Sequence, residues 1–266
     1  MYFSLSSQPG SPESANEDAT AVLGGFAIVA DGATARTETG CIHGVSWFAH
    51  HLVAATVQHA DLWPSEALAE GIRETADAHR LTCDLASVGT PSAAVGIARV
   101  RPNVVDFLAL GDVTVVVETA AGVQVVVDDR VSRTALRERG IADALPHGSP
   151  EKAAALIQMK HAELAVRNTE GGFWVAMSDP EAVSHAVTWS VQRDETRRFA
   201  ILSDGATRLV DTFKTRDWPA ILDLLATDGP SVLIQDVRAS ERADADATTW
   251  PRNKISDDAT VVYAEL

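Results

Sequence analysis

AIVADG at residues 27–32 and AILSDG at residues 200–205 repeat one pattern, a short apolar run that ends in Asp-Gly. A run of this length that stops at a turn signal predicts a buried strand followed by a turn. The pattern therefore predicts that Asp31 and Asp204 lie at strand ends, although they are far apart in the chain. Carboxylates at the ends of strands can converge in space, so the repeat suggests shared chemistry.

Groups of helices and groups of strands fill the sequence around these two runs. Apolar residues at helical spacing predict helices at 39–58, 64–81, 132–139, 151–166, 218–226 and 229–244. Apolar and β-branched runs predict strands at 26–30, 93–99, 104–110, 114–118, 123–127, 173–177, 199–203 and 259–264, the closely spaced ones as antiparallel hairpins. This grouping predicts an α+β fold built on a sandwich, in contrast to a parallel, doubly wound sheet.

Composition narrows the classes of function. The chain has 266 residues, 46% of them hydrophobic, which is enough for a substantial core. Its net charge of −15 argues against a nucleic-acid partner or an anionic membrane surface, and it leaves room for cation sites. The two cysteines, Cys41 and Cys83, lack the paired spacing of a zinc site, so we expect reduced, buried thiols.

The organisation of the chain is simple. We find no signal peptide, no apolar stretch of membrane-spanning length, no linker and no internal repeat. The sequence therefore predicts one domain over residues 1–266 and a cytoplasmic location. Its Ala-, Asp- and Arg-rich character gives the impression of a bacterial protein.

Two further acidic pairs stand beside predicted strands. Glu17-Asp18 precedes the first strand, and Asp257-Asp258 precedes the last. Mg²⁺ and Mn²⁺ prefer oxygen ligands, so a few carboxylates and one backbone carbonyl, such as that of Gly32, suffice for a pair of ions. Taken singly, each acid is equally well explained as a turn residue or as solvated surface.

Five landmarks in fixed order carry a resemblance to a known family. They are Asn16-Glu17-Asp18, VADG at 29–32, ALGD at 109–112, LSDG at 202–205 and DDATVV at 257–262. The order resembles that of the metal-dependent protein phosphatases of type 2C, and it covers nearly the whole chain. The resemblance implies an antiparallel β-sandwich flanked by helices on both sides.

The resemblance also implies a two-metal site with Mg²⁺ or Mn²⁺. Asp31 would bridge the ions, Glu17 and the Gly32 carbonyl would bind one, and Asp204 and Asp257 would bind the other. The catalytic set would comprise Asp18, Asp31 and Asp204, with Asp18 orienting the water that attacks phosphorus. Asp112 is either a ligand of a third, weaker ion or a simple turn aspartate.

The sequence departs from the family at two positions near the site. Glu13 stands where the family usually has an arginine that grips phosphate, and Ala33 stands where it often has a histidine. Arg36, Arg252 and Lys254 are candidate replacements for the phosphate grip, although each could equally be solvated surface. The histidines of the first helix, His43, His50 and His51, are expected to be structural or exposed.

These observations lead to a function and to alternatives. The resemblance implies a phosphatase for phosphoserine or phosphothreonine in proteins. A catalytically weak or inactive relative that acts as a binding or regulatory module is the alternative, because of Glu13 and Ala33. A phosphatase for a small phosphoester is a third possibility, since surface loops set the substrate. The sequence leaves the oligomeric state open.

Overall fold

Ten strands form two antiparallel sheets in a computed structural model that describes residues Met1–Leu266. The first sheet has the order β1-β10-β9-β6-β7, and the second has the order β2-β3-β4-β5-β8. The strands are β1 Tyr2–Gln8, β2 Ala19–Leu23, β3 Phe26–Gly32, β4 Ala93–Val100, β5 Val104–Leu110, β6 Thr114–Thr119, β7 Gly122–Val126, β8 Val187–Gln192, β9 Thr196–Leu202 and β10 Ala259–Glu265. All strand pairs are antiparallel.

Seven helices cover the outer faces of the two sheets or lie beside them. They are α1 Gly44–Gln58, α2 Pro64–His79, α3 Leu136–Asp143, α4 Pro150–Leu164, α5 Asp204–Asp211, α6 Trp218–Thr227 and α7 Pro230–Ala243. Helices α1 and α2 pack on the second sheet, and α5, α6 and α7 pack on the first. None of the helices combines the length and the apolar character that a membrane crossing requires.

The central strands are buried on both faces, which explains their continuous apolar sequences. In β3, Phe26 and Ile28 face the helices α1 and α2, whereas Ala27 and Val29 face the other sheet. A strand with one solvated face would alternate apolar and polar residues, but a strand between two packed layers need not. The predicted sandwich with helices on both sides is therefore confirmed.

The missed strands are at the edges of the sheets. β1, β2 and β8 are edge strands that the sequence did not predict, and their side chains are mostly half-buried or exposed. An edge strand can tolerate polar residues because one side of its backbone is open, so its pattern is weak. By contrast, the runs from 93 to 127 are strands as predicted, although Gly111-Asp112 connects the two sheets and does not form a hairpin.

Several predicted boundaries were wrong. The first helix begins at Gly44, not at 39. Residues 173–177 do not form a strand, because only Phe173 and Ala176 make isolated bridges, to Arg167 and Ala93. Asp31 lies within β3, before its last residue. Asp204 begins α5, with Ser203 as its N-cap residue, so the second Asp-Gly starts a helix where a turn was predicted.

The two Asp-Gly glycines allow close contact between backbone segments. A Cβ atom at Gly32 would lie 2.4 Å from the carbonyl oxygen of Glu17, and one at Gly205 would lie 1.9 Å from that of Asp258. Both distances are far below van der Waals contact, so each glycine permits an acidic pair to approach an aspartate-bearing strand or helix. The repeated Asp-Gly thus has a packing cause.

Substitution of these glycines should destabilise the fold. We expect Gly205→Ala to lower the free energy of unfolding by about 1–3 kcal/mol or more, because the added methyl group overlaps backbone. Gly140→Ala is the matched control, since a Cβ at this α3 position meets nothing within 4 Å and should stabilise the helix by about 0.5–1 kcal/mol. Denaturant unfolding followed by circular dichroism measures both; equal stability of the two variants would contradict the packing argument.

Candidate active site

A cleft of about 400 Å³ contains most of the carboxylates that the sequence analysis singled out. It is lined by Asp31 from β3, Asp112 from the connection after β5, Asp204 from α5 and Asp257 from the segment before β10. Glu17 lines an adjoining depression that shares Asp257 with the cleft. Residues separated by more than two hundred positions therefore meet in one place.

Asp31 and Asp204 are in direct contact at the centre of this cluster. The backbone N–H of Asp204, at the start of α5, donates a hydrogen bond to Asp31 Oδ2 at 3.2 Å. Burial, followed by repulsion from Asp18, Asp204, Asp112 and Asp257, raises the pKa of Asp31 well above its ordinary value. The site thus concentrates negative charge around Asp31, which is the position that the family resemblance assigns to the bridging ligand.

Asp204 faces the cleft and is exposed to it, yet its pKa is shifted. Loss of hydration beside the surrounding protein, followed by repulsion from Asp257 and Asp112, raises the pKa of Asp204 to about 8. The N-terminus of α5 partly offsets this repulsion because its free N–H groups favour negative charge. Ionised Asp31 and Asp204 need a further source of positive charge at neutral pH.

Asp18 lies behind the cluster and is almost completely buried, with 1% of its surface exposed. Its Oδ2 atom accepts a hydrogen bond of 2.8 Å from the Ser203 hydroxyl. Burial raises the pKa of Asp18 to about 7, although hydrogen bonds from Ser203 and Thr260 oppose the shift. Asp18 can therefore gain or lose a proton near neutral pH.

Glu17 is positioned from both sides. Its Oε2 atom accepts a hydrogen bond of 2.5 Å from the Thr34 hydroxyl, and its backbone N–H donates to Asp258 Oδ2 at 2.6 Å. Asp258 also accepts a bond of 2.8 Å from the backbone N–H of Gly10. Burial is the main cause that raises the pKa of Glu17. Asp258 thus fixes the Glu17 segment and Asp257 faces the cluster.

Two cations contact Asp257 inside the cluster. The Lys254 ammonium donates to Asp257 Oδ1 at 2.5 Å and to the Thr34 hydroxyl at 2.7 Å. On the other side, Arg208 donates to Asp257 Oδ2 at 3.3 Å and to the buried Glu241 at 2.6 Å. Burial opposes the charge of Lys254, but attraction to Asp257, Asp204 and Asp31 raises its pKa above the ordinary value. Lys254 therefore supplies positive charge to the carboxylates, and two of its three N–H donors are engaged by Asp257 and Thr34.

Asp112 lies at the far side of the same cleft. Its pKa is raised by burial and by repulsion from Asp128 and Glu163, and its charge in turn acts on Asp31 and Asp204. Asp128 is itself paired with Arg130 at 2.5 Å. Asp112 thus shares the cleft with Asp31 and Asp204, and no basic side chain donates a hydrogen bond to it.

The donor set fits hard divalent cations. Glu17, Asp31, Asp204 and Asp257 offer only oxygen atoms, and carboxylates crowded at this density favour either protonation or a bound cation. Mg²⁺ and Mn²⁺ match that chemistry; the cleft has no thiolate or imidazole in its lining, and His43 lines only the adjoining depression. The residues present are therefore compatible with the implied pair of ions.

Arg252 is removed from the candidate phosphate ligands by its contacts. Its guanidinium is buried and all five N–H donors have partners: Asp244 Oδ2 and the carbonyls of Glu241, Asp244, Trp250 and Ile255. Arg252 thus fastens the loop that leads to Asp257. The sequence could not separate this structural arginine from a substrate ligand, because the two differ only in their tertiary partners.

Arg36 retains the character of a candidate ligand. It lines the cleft, is half-buried and makes no hydrogen bond or ion pair within the chain. Glu13 is exposed, and no charged side chain stands at Ala33. Arg36 is therefore the cation among the sequence candidates that is free to meet a bound anion.

Sequence analysis missed four further cations that line the cleft: Arg139 on α3, Arg208 on α5, Lys160 on α4 and Arg167 after it. Lys160 and Arg167 belong to the same segment. Burial, opposed by Glu163 and reinforced by the cations Arg167, Arg36 and Lys254, lowers the pKa of Lys160. Arg167 is anchored by bonds to Ser92 Oγ at 2.7 Å and to the carbonyl of Val88 at 2.5 Å. Lys160 and Arg167 lie near the carboxylates because of the way α4 packs. The sequence predicted the helix but carries no signal for where it packs.

Comparison with known proteins gives a consistent result at the level of structure. No family model and no curated protein matches the sequence. Among solved structures, the serine/threonine phosphatase PstP/Ppp of Mycobacterium tuberculosis superposes with a TM-score of 0.59 at 15% identity, covering 100% of this chain and 98% of that one. The serine/threonine phosphatase Stp1 of Staphylococcus aureus gives 0.59 at 14% identity, covering 99% and 94%.

A third structure is similar over the same length. The catalytic domain of the serine/threonine phosphatase PstP in complex with two manganese ions gives a TM-score of 0.56 at 16% identity, with 99% of this chain and 97% of that one covered. Likeness at such low identity concerns the fold. The chain accordingly has the fold of the metal-dependent serine/threonine phosphatases of type 2C, as a divergent example of it.

Proposed function

We propose that this chain is a metal-dependent phosphoester hydrolase, one domain over residues 1–266, that dephosphorylates serine or threonine in proteins. One observation carries the proposal: Asp31, Asp204 and Asp257 converge from separate segments in one cleft, and Glu17 lines the depression that adjoins it. A module that only binds a partner gains nothing from such repulsion. Three structural neighbours named serine/threonine phosphatases, one of them with two manganese ions, agree with it.

The proposed chemistry assigns a role to each residue. Glu17, Asp31, the Gly32 carbonyl, Asp204 and Asp257 would hold two Mg²⁺ or Mn²⁺ ions, with Asp31 shared between them, and Asp112 would serve a third, weaker ion. Such ions, when bound, activate water for in-line attack at phosphorus and screen charge on the phosphoryl oxygens. Asp18, buried behind the cluster and hydrogen-bonded to Ser203, would orient the attacking water. With Ala33 nearby, the leaving group takes its proton from solvent.

We assign the phosphate grip to Arg36 and Lys160. Arg36 has no partner in the chain, and Lys160 is crowded by other cations, so a phosphate dianion would relieve repulsion that the free protein retains. These two cations would take over the role of the family's arginine, since this chain has Glu13 at the corresponding position. The net charge of −15 supports the proposal that neither nucleic acid nor membrane is a partner, and we propose a cytoplasmic location.

A second candidate function rests on Lys254. Its ammonium lies in contact with Asp257 and, through Thr34, beside Glu17, where a metal ion would otherwise neutralise the same carboxylates. A chain that carries its own countercation could keep the fold without metal and act as a weak or inactive phosphatase that binds phosphorylated partners. The two functions differ in whether metal displaces this ammonium.

Metal-dependent hydrolysis tests the main proposal. We expect p-nitrophenyl phosphate and a phosphothreonine peptide to be hydrolysed with Mn²⁺ or Mg²⁺ but not with EDTA. Asp204→Asn should lower kcat/KM by about 100-fold or more, because it removes a charged metal ligand. Asp211→Asn is the matched control, since this exposed aspartate lies on the same helix outside the cleft. Folded protein without activity under both metals would contradict the proposal, and good activity on small esters alone would restrict its substrates.

The phosphate grip has its own test. Arg36→Ala and Lys160→Ala should each raise KM or lower kcat/KM by about tenfold or more, since each removes a charge-assisted bond to phosphate. Arg252→Met should instead lower the melting temperature, because it leaves the buried Asp244 unpaired. Arg80→Ala, at an exposed position on the chain after α2, controls for the change in net charge. Unchanged kinetics in both cleft variants would refute the assignment.

Competition between Lys254 and metal distinguishes the two candidate functions. We expect Lys254→Met to tighten Mn²⁺ binding by about tenfold or more, because the ammonium no longer has to leave Asp257. Isothermal titration calorimetry measures this change, with Arg80→Met as the control of equal charge. If neither the natural chain nor Lys254→Met binds Mn²⁺, the binding module becomes the favoured function; equal binding by both would mean that Lys254 does not compete.

A further inference from the structure

A second group of metal-binding side chains lies apart from the carboxylate cluster. The Sγ atoms of Cys41 and Cys83 are 3.0 Å apart, and the Nδ1 atom of His79 is 3.6 Å from Cys41 Sγ. All three ligand atoms lie within 4.8 Å of one another. The sequence analysis expected two unrelated thiols, because positions 41 and 83 have no paired spacing.

Local structure brings the three residues together. His79 is the last residue of α2, and the backbone N–H of Cys83 donates to its carbonyl at 2.9 Å, so the helical turn continues to Cys83. Residues four apart on a helical turn share a face, which is a common spacing for two ligands of one metal ion. Cys41 arrives from the loop before α1, where Asp84 N–H binds the Gly40 carbonyl at 2.8 Å.

The surroundings act differently on the two sulfurs. Burial and the hydrogen bond with Cys83 raise the pKa of Cys41, although backbone N–H groups of His43 and Gly44 oppose the shift. Burial acts in the same direction on Cys83, but hydrogen bonds with Cys41 and with the backbone of Ile42 outweigh it and lower the pKa of Cys83. Cys83 is therefore the sulfur that more readily becomes a thiolate, the form that binds metal.

His79 is directed at the sulfur pair. Only 2% of its surface is exposed, and the hydrogen-bond partner of its Nδ1 atom is Cys41 Sγ. The ring is covered by Trp47, 5.1 Å away between centroids. A buried imidazole directed at two sulfurs is explained by a metal ion between them, whereas a disulfide would involve the sulfurs alone.

We propose that Cys41, His79 and Cys83 bind one Zn²⁺ ion or a similar thiophilic divalent cation. Tetrahedral zinc, with bonds of about 2.3 Å to sulfur and about 2.0 Å to nitrogen, separates these atoms by about 3.6 Å, as found for Cys41 and His79. The two sulfurs must part by somewhat less than 1 Å. The fourth position would be taken by water, because the nearby His43 ring has its Nε2 atom in a hydrogen bond with Thr82.

The site differs in chemistry and in purpose from the carboxylate cluster. Its soft ligands select zinc-like ions over Mg²⁺ and Mn²⁺, which prefer oxygen. The bound ion would join the end of α2 to the loop at 33–43, which carries Thr34 and Arg36 into the cleft. We therefore assign it a structural role, stabilising the loop beside the candidate active site.

Cobalt substitution tests the site without any activity assay. Reduced, EDTA-treated protein is titrated with Co²⁺, and we expect the thiolate-to-cobalt charge-transfer band to saturate at one ion per chain and to vanish when Zn²⁺ is added. Carboxylate-bound cobalt gives no such band, so Asp204→Asn should leave it unchanged. Cys83→Ser and His79→Gln should abolish the band or weaken it strongly, and His50→Gln, at an exposed position of α1, should not.

Three outcomes would overturn the proposal. They are absence of the band in protein whose two thiols react freely with Ellman's reagent, persistence of the band in both ligand variants, and isolation of a Cys41–Cys83 disulfide that binds no metal after reduction. Circular dichroism of each variant establishes that it is folded. Because Cys83 is half-buried and lies four residues beyond the end of α2, Cys83→Ser keeps the test valid even if His79→Gln, which alters a buried ring, unfolds.

Discussion

Contact between backbone segments at Gly32 and Gly205 is the constraint on which the candidate site depends. Each glycine lies against the carbonyl of an acidic pair, Gly32 against Glu17 and Gly205 against Asp258. No side chain fits in either gap, so the strand and the helix that carry Asp31 and Asp204 meet the segments that carry the other carboxylates. The two antiparallel sheets hold these segments in register, and the acids cannot move apart to reduce their repulsion.

Such crowding requires positive charge, and the fold supplies it locally. The chain has a net charge of −15, yet the cleft is lined by seven basic and six acidic side chains. The basic side chains differ in their contacts. Arg208 and Lys254 contact Asp257, whereas Arg252 holds the loop that leads to Asp257. Arg36 has no partner in the chain. Local balance of this kind lets an acidic protein keep a carboxylate cluster in a cleft.

Acidic residues with similar sequence contexts have different roles. Asp257 and Asp258 are neighbours, but the first faces the cluster while the second binds the backbone of Gly10 and Glu17. Asp18, beside Glu17, is buried behind the cluster and has a pKa of about 7. The contacts of each carboxylate, and for Asp18 also its burial, therefore separate an acid that faces the cluster from one that holds the backbone and from one that titrates near neutral pH.

The sequence by itself determined the layered α+β architecture and the acidic positions of the candidate site. Strands buried on both faces leave continuous apolar runs, and the close contacts at Gly32 and Gly205 leave Asp-Gly, so both signals are local. Only the tertiary structure decided the edge strands, the structural role of Arg252, the place of Lys160 in the cleft and the meeting of Cys41, His79 and Cys83. These features depend on which distant segments pack together, and single residues carry no pattern that records their partners.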